Sequence, residues 1–118
     1  MTETATDFIV RDMIDGEADA LGRIMWRAIH EGPGHYTPAQ RVAWCAAPPK
    51  GADWAGRLAP LQVRVAEASG APVGFMARKD AYVDFTFILP EWQGRGVFSA
   101  LYAQVEADAR ALGLDRLW

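Results

Sequence analysis

Two glycines flank an arginine at Gly94-Arg95-Gly96, directly after an apolar run and directly before a helical pattern. A helix N-terminus carries unpaired N–H groups and a partial positive charge. Glycines ahead of it let a ligand approach the backbone closely. Successive N–H groups at such a turn converge on an anion, and Arg95 adds charge, so the segment suits a phosphate or pyrophosphate. The spacing is neither GxxxxGK[ST] nor GxGxxG. On the residues alone a second reading stands beside the first, a tight strand-to-helix turn that needs glycine.

The elements that position this turn follow from periodicity. Residues 81–89, AYVDFTFIL, are rich in aromatic and β-branched types, which predicts a strand, central and covered on both faces. After the turn, Val97, Leu101, Val105 and Ala109 share one helical stripe with Phe98, Tyr102 and Leu112 beside it, and Gly113 follows the C-cap. Upstream, residues 8–11 read as a first strand. Asp15 is the expected N-cap of a helix, with Glu17 in its first turn and Ile14, Ala18, Leu21, Ile24 and Ala28 at helical spacing. Gly22 inside it weakens the helix by about 1 kcal/mol relative to Ala. Thr37-Pro38-Ala39-Gln40 has the form of a capping box with Pro at the first helical position. It opens a second helix carrying Val42, Trp44, Cys45 and Ala46, stopped by Pro48-Pro49. Residues 50–60 read as a loop with one helical turn around Trp54. The period then becomes two, with Leu61, Val63 and Val65 in one strand and Val73, Phe75 and Ala77 in the next. Turns are expected over residues 69–72 and at Lys79-Asp80. Residues 114–118 read as the beginning of a further strand. The predicted order is β-α-α-β-β-β-α-β, a mixed α/β arrangement in a single domain over 1–118 with residues 1–7 loose.

Composition bounds the function. Half of the 118 residues are hydrophobic, five of them Trp, which suffices for a packed core. A net charge of −3 with no basic patch argues against a nucleic-acid partner. No apolar run approaches the roughly 20 residues needed to span a bilayer, and no leader pattern opens the chain. The single cysteine, Cys45, cannot form an internal disulfide. These features point to the cytoplasm. No His, Cys or Asp cluster has metal-ligand spacing.

Gln93-Gly94-Arg95-Gly96-Val97-Phe98 resembles the [RQ]-x-x-G-x-[GA] motif of the GNAT N-acetyltransferases, and Ile88-Leu89-Pro90-Glu91-Trp92 resembles that family's V-x-P-[ED]-[aromatic] lead-in. The order of elements agrees from Phe8 to Trp118. HYTPAQ at 35–40 and AYVD at 81–84 are similar to features of a bacterial subgroup of acetyltransferases. The resemblance implies a GNAT-like mixed central sheet flanked by helices, with acetyl-coenzyme A as co-substrate. It implies that the pantetheine arm lies along Thr86, Phe87 and Ile88, read much as an added strand would be. It places the pyrophosphate on the amides of Gln93, Gly94, Arg95, Gly96, Val97 and Phe98. Phe98 departs from the family's Gly or Ala, and its ring either leans along the helix or crowds the cofactor.

The chemistry implied is direct attack of a primary amine on the thioester, with proton removal by a carboxylate or through water. Ile88 N–H matches the family's oxyanion donor. Asp84 is the candidate base, since period two places it on the strand face of Thr86 and Ile88. The alternative is that it accepts hydrogen bonds from a neighbouring helix or loop. His35 and Tyr36 precede the second helix, where the family borders its acceptor site. His35 either assists proton transfer or caps and packs at the surface. Trp44 and Trp54 either line an acceptor pocket or pack in core and loops. Glu91 reads as a solvated turn residue. The family continues past the fifth strand with a fourth helix and two strands, and often draws a general-acid Tyr from there. Those positions lie beyond Trp118, so an uncovered strand is expected to pair two chains as a homodimer, with or without exchanged elements. Against the enzyme stand two alternatives: an acetyl-coenzyme A-binding module without turnover, and a GNAT-like interaction module with Phe98 closing the pocket.

Overall fold

The computed structural model describes residues 8–32, 34, 36–114 and 117. The elements are β1 (Ile9–Asp12), α1 (Ala18–Glu31), α2 (Pro38–Trp44), α3 (Gly51–Leu58), β2 (Gln62–Ala68), β3 (Ala71–Lys79), β4 (Tyr82–Ile88), a 3-10 turn (Pro90–Trp92) and α4 (Val97–Ala111). The four strands form one antiparallel sheet in the order β1-β2-β3-β4. Among the described residues β4 is therefore an edge strand, not the central one expected. Its Tyr82 and Asp84 are exposed and its Phe85, Thr86 and Phe87 only half-buried. The further strand expected over 114–118 falls partly outside the described residues; Leu114 and Leu117 belong to no strand. No helix among the described residues is long and apolar enough to cross a membrane.

Each face of the sheet carries its own core. On one face Leu21 and Ile24 of α1 and Trp54 and Leu58 of α3 close over Val63, Val65, Phe75 and Ala77. On the other, Val97, Leu101 and Val105 of α4 pack on Ala66, Met76 and Ile88. The predicted α4 stripe of Val97, Leu101, Val105 and Ala109 is buried throughout. Gly113, at φ 82°, ends the helix with its N–H on Arg110 O and that of Leu114 on Ala109 O, a Schellman closure. Thr37 Oγ1 accepts from Gln40 N–H while Gln40 Oε1 accepts from Thr37 N–H, the capping box read from sequence.

Other boundaries moved for physical reasons. The 50–60 segment contains a two-turn helix, α3, because Trp54 is only 2 % exposed and donates from Nε1 to Ala18 O at 2.7 Å. A single core aromatic with a satisfied N–H is enough to recruit a segment whose local pattern is weak. α1 starts three residues after Asp15, which is not its N-cap. Gly16, at φ 83°, makes a turn there. The buried Glu17 carboxylate accepts from Ile14 N–H and from Arg11, which also reaches Glu67. Burial would raise the Glu17 pKa, but these bonds outweigh it and hold it below the usual glutamate range.

Gly22 also reads differently in three dimensions. A Cβ there would stand 1.9 Å from Pro49 O and 3.2 Å from Trp54 Nε1. The α1–α3 approach requires glycine, so the helix accepts its poor propensity. Gly22→Ala should lower unfolding stability by about 1–3 kcal/mol, the range for overpacking, although Ala is the better helix former. Urea denaturation of the two chains measures this; an unchanged or higher midpoint would refute the close approach.

Candidate functional site

β4 pairs with β3 in a register that places Phe75 opposite Phe87 and Gly74 opposite Ile88. An antiparallel ladder alternates residue pairs that exchange both hydrogen bonds with pairs that exchange none. Leu89 N–H donates to Val73 O at 2.9 Å, so Phe87 also turns its backbone groups to β3. Thr86 and Ile88 then direct theirs to the free edge. Of the three residues expected along an extended ligand, Thr86 and Ile88 offer backbone groups and Phe87 offers its ring. That ring packs toward α1 and α3, 6.0 Å from Phe75.

The end of β4 is held by close packing. A Cβ at Gly74 would lie 3.1 Å from Ile88 Cγ1, 3.2 Å from Val97 Cγ1 and 3.3 Å from Phe87 O. Glycine at 74 thus lets β4 and the first turn of α4 meet over the sheet, a requirement the strand pattern concealed. Gln93 Nε2 donates to Ile88 O at 3.1 Å. The side chain that opens the motif therefore ties the turn back onto the strand and occupies one of the edge-facing carbonyls.

The turn has the conformation its glycines permit. Gly94 and Gly96 have φ of 77° and 87°, and a Cβ on either would meet nothing within 4 Å. Backbone conformation requires these glycines, and the space before them is open. The first α4 bond runs from Ala100 N–H to Gly96 O. The N–H groups of Val97, Phe98 and Ser99 have no partner within the helix, and Gly96 supplies no side-chain cap. Arg95 lies over the Trp92 ring at 4.7 Å, which keeps an exposed cation beside these amides. Val97 is buried and anchors the helix. Phe98 is exposed and stacks on Tyr102, ring centroids 6.0 Å apart and planes 10° apart, so its ring lies along α4. Open edge groups, unpaired amides and an adjacent guanidinium fit a ligand that joins an extended amide-bearing arm to a diphosphate.

Asp84 sits where the β3–β4 register slips, between the pairs Ala77–Phe85 and Arg78–Val83. The bulge interrupts the alternation that placed Asp84 with Thr86 and Ile88. Val83 packs in the α4-side cluster together with Ile88, which strict alternation forbids. Asp84 is exposed and forms no hydrogen bond or ion pair among the described residues. His35 lies outside the described residues. Tyr36 and Trp44 are exposed and meet edge-on at 4.6 Å, whereas Trp54 belongs to the core.

Two further contacts went unread in the sequence. Arg27 donates to both Glu91 oxygens, at 3.0 and 2.9 Å, joining α1 to the 3-10 turn. Glu91 is thus paired, and Arg27 holds its carboxyl below the usual range. Gly32, at the end of α1, lies beside Gln93: a Cβ on it would be 3.8 Å from Nε2. An i,i+64 pair has no local signature. A cleft of about 750 Å3 lies elsewhere, between residues 12–19, α3 and the start of β2, and includes none of the motif.

The sequence profile of the acetyltransferase (GNAT) family matches residues 24–118. An uncharacterized N-acetyltransferase of Escherichia coli, YafP, is 39% identical over 107 residues, covering 90% of this chain and 70% of its own. A GCN5-related N-acetyltransferase structure from Rhodopseudomonas palustris superposes with TM-score 0.80 at 26% identity, over 96% of this chain and 71% of that one. The fold is also similar to that of yncA from Salmonella typhimurium, solved with its cofactor acetyl-CoA (TM-score 0.61, 20% identity, 91% and 65% covered).

Gln93→Ala should cost about 0.5–1.5 kcal/mol of stability by removing the bond to Ile88 O. Thermal unfolding checks this, and an unaltered midpoint would mean the tie contributes nothing.

Proposed function

The chain belongs to the GNAT acetyltransferase family, for which acetyl-coenzyme A is the co-substrate, and we propose that it transfers the acetyl group to a primary amine by direct attack. The observation that carries this reading is the junction of β4 and α4: the edge-facing groups of Thr86 and Ile88 are followed, across the 3-10 turn and the glycine turn, by the amides of Val97, Phe98 and Ser99, which have no partner within the helix. In the proposed arrangement the pantetheine arm takes the free edge of β4 and the pyrophosphate takes the turn, with Arg95 beside it. Ile88 N–H faces the edge and stabilises the oxyanion that forms as the amine nitrogen bonds to the acetyl carbon. Asp84, exposed at the bulge, takes the proton that the amine loses, directly or through water. The C–S bond then breaks and the thiolate leaves. His35 is retained as a candidate for assisting proton transfer on the acceptor side.

Phe98 lies along α4, which favours an accessible turn over the alternative of a closed, non-catalytic module. The reading includes a cytoplasmic location, inferred from the lone cysteine. It also includes a homodimer, with or without exchanged elements.

Calorimetric titration with acetyl-coenzyme A should give one site per chain, weakened at least tenfold by Arg95→Glu. Equal affinity in the variant would remove the pyrophosphate from this turn. With a panel of primary amines, free-thiol release should fall by about 10²–10⁴-fold in Asp84→Asn, the usual contribution of a general base. Retained turnover there would exclude Asp84 from the role.

A further inference from the structure

Aromatic rings flank the glycine turn at the start of α4, and the core engages all but one of them. Trp92 and Tyr102 are half-buried and pack against the α4-side cluster. Trp92 also meets Phe8 edge-on at 6.3 Å and carries Arg95 over its face at 4.7 Å. Phe98 is 52 % exposed and lies off the buried stripe of Val97, Leu101, Val105 and Ala109. A scattered exposed Phe is ordinary on a protein surface. At a solvent-facing helix position, though, propensity favours Ala. Neither core packing nor helix formation accounts for a large ring beside this turn.

The ring is held in one orientation. Tyr102 lies one helical turn on, and the two ring planes are parallel to within 10° with centroids 6.0 Å apart. Side chains on a helix lean toward its N-terminus, so the pair lies over the glycine end of α4. There the N–H groups of Val97, Phe98 and Ser99 have no partner within the helix, and the space before Gly94 and Gly96 is open. A preorganised aromatic face beside an anion-binding turn suits a planar ring tethered to a phosphate. Nucleobases stack on such faces because every base has a π-face.

We propose that the Phe98 ring stacks on the adenine of acetyl-coenzyme A, so that the chain recognises the nucleoside end of its co-substrate. The inference rests on the placement of the diphosphate at this turn. With the pantetheine arm on β4, the adenosine leaves the diphosphate from its opposite end. One ribose separates the base from the diphosphate, and one Cβ separates the Phe98 ring from its own amide, so the two planes come within stacking reach. Trp92 is the competing ring, and Arg95 covers its face. The consequence is donor selection. A thioester of coenzyme A with its nucleoside intact is favoured over a thioester of phosphopantetheine alone.

Calorimetric titration of substituted chains tests this. Phe98→Ala should weaken acetyl-coenzyme A binding by about tenfold, within the range for one base on one ring. Phe98→Leu, which keeps apolar bulk without a π-face, should lose as much, and Phe98→Trp should restore the affinity. S-acetyl-4′-phosphopantetheine, which lacks the nucleoside, should bind Phe98→Ala and the unsubstituted chain alike. An equal loss for both ligands would make Phe98 a support of the turn and overturn the stacking, as would full affinity in Phe98→Leu. Acetyl-coenzyme A binding that falls in Arg95→Glu but not in Phe98→Ala would sink this inference alone. No binding by the unsubstituted chain, or binding that Arg95→Glu leaves untouched, would sink the diphosphate placement with it. NMR of the unsubstituted chain gives an independent answer: NOEs from adenine H2 or H8 to the Phe98 ring protons support the contact, and their absence at saturating acetyl-coenzyme A refutes it.

Discussion

The register between β3 and β4 is the constraint on which the rest of this structure depends. With Phe75 opposite Phe87 and Leu89 N–H bonded to Val73 O, the backbone of Thr86 and Ile88 faces away from β3. The same register sends Phe85 and Phe87 into the core under α1 and α3 and Ile88 into the core under α4. One set of hydrogen bonds thus decides both what the sheet buries and what its edge presents. A slip of one residue would exchange the two faces. Phe75 and Met76, fully buried on opposite faces, make such a slip costly.

Glycine acts in two separate ways around this register. At Gly74 the requirement is space, because β4 and α4 converge on it. At Gly94 and Gly96 the requirement is backbone conformation, because a side chain would have room but would resist the positive φ. Between them, Gln93 closes the distance from turn to strand with a single bond to Ile88 O. The junction is consequently built from backbone geometry, with Arg95 exposed beside the first amides of α4. An apolar strand thus ends at a turn whose backbone amides are left unpaired.

Polar contacts hold the layers in place at the periphery. Arg11 links β1 to β2 and to the start of α1, Arg64 links β2 to α4, and Arg27 links α1 to the 3-10 turn. Arg27 and Glu91 are well exposed, so that pair contributes little energy and acts mainly as a spacer. Arg11–Glu17 and Arg64–Asp108 are shielded, and each carboxylate is held below its usual pKa. Arg78 lies beside this layer, and its charge adds to that of Arg64 in holding the Asp108 carboxyl low.

Local rules were enough for the features whose causes are local. The α4 stripe, the capping box at Thr37 and Gln40, the Gly113 stop and the glycine-arginine turn all rest on residues within one or two turns of each other, and each was legible in the sequence. So was the family, since its motif is contiguous. Helix α3 was not legible, because a single buried indole and its bond to Ala18 hold it against α1. The start of α1 was misread because Glu17 is engaged by Arg11, six residues back, and not by the helix's own amides. Asp84 was placed by strict alternation, and a bulge opposite Ala77 and Arg78 broke that alternation. The roles of Gly22, Gly74 and the Arg27–Glu91 pair arise from segments that meet only after folding. The sequence by itself determined β1, the α4 stripe, the central hairpins and the glycine-arginine turn, because hydrogen bonds along the chain and side-chain period set those. Only the tertiary structure decided which strand lies at the edge, which amides stay free and which segments pack as helix α3, because these depend on what packs across the sheet.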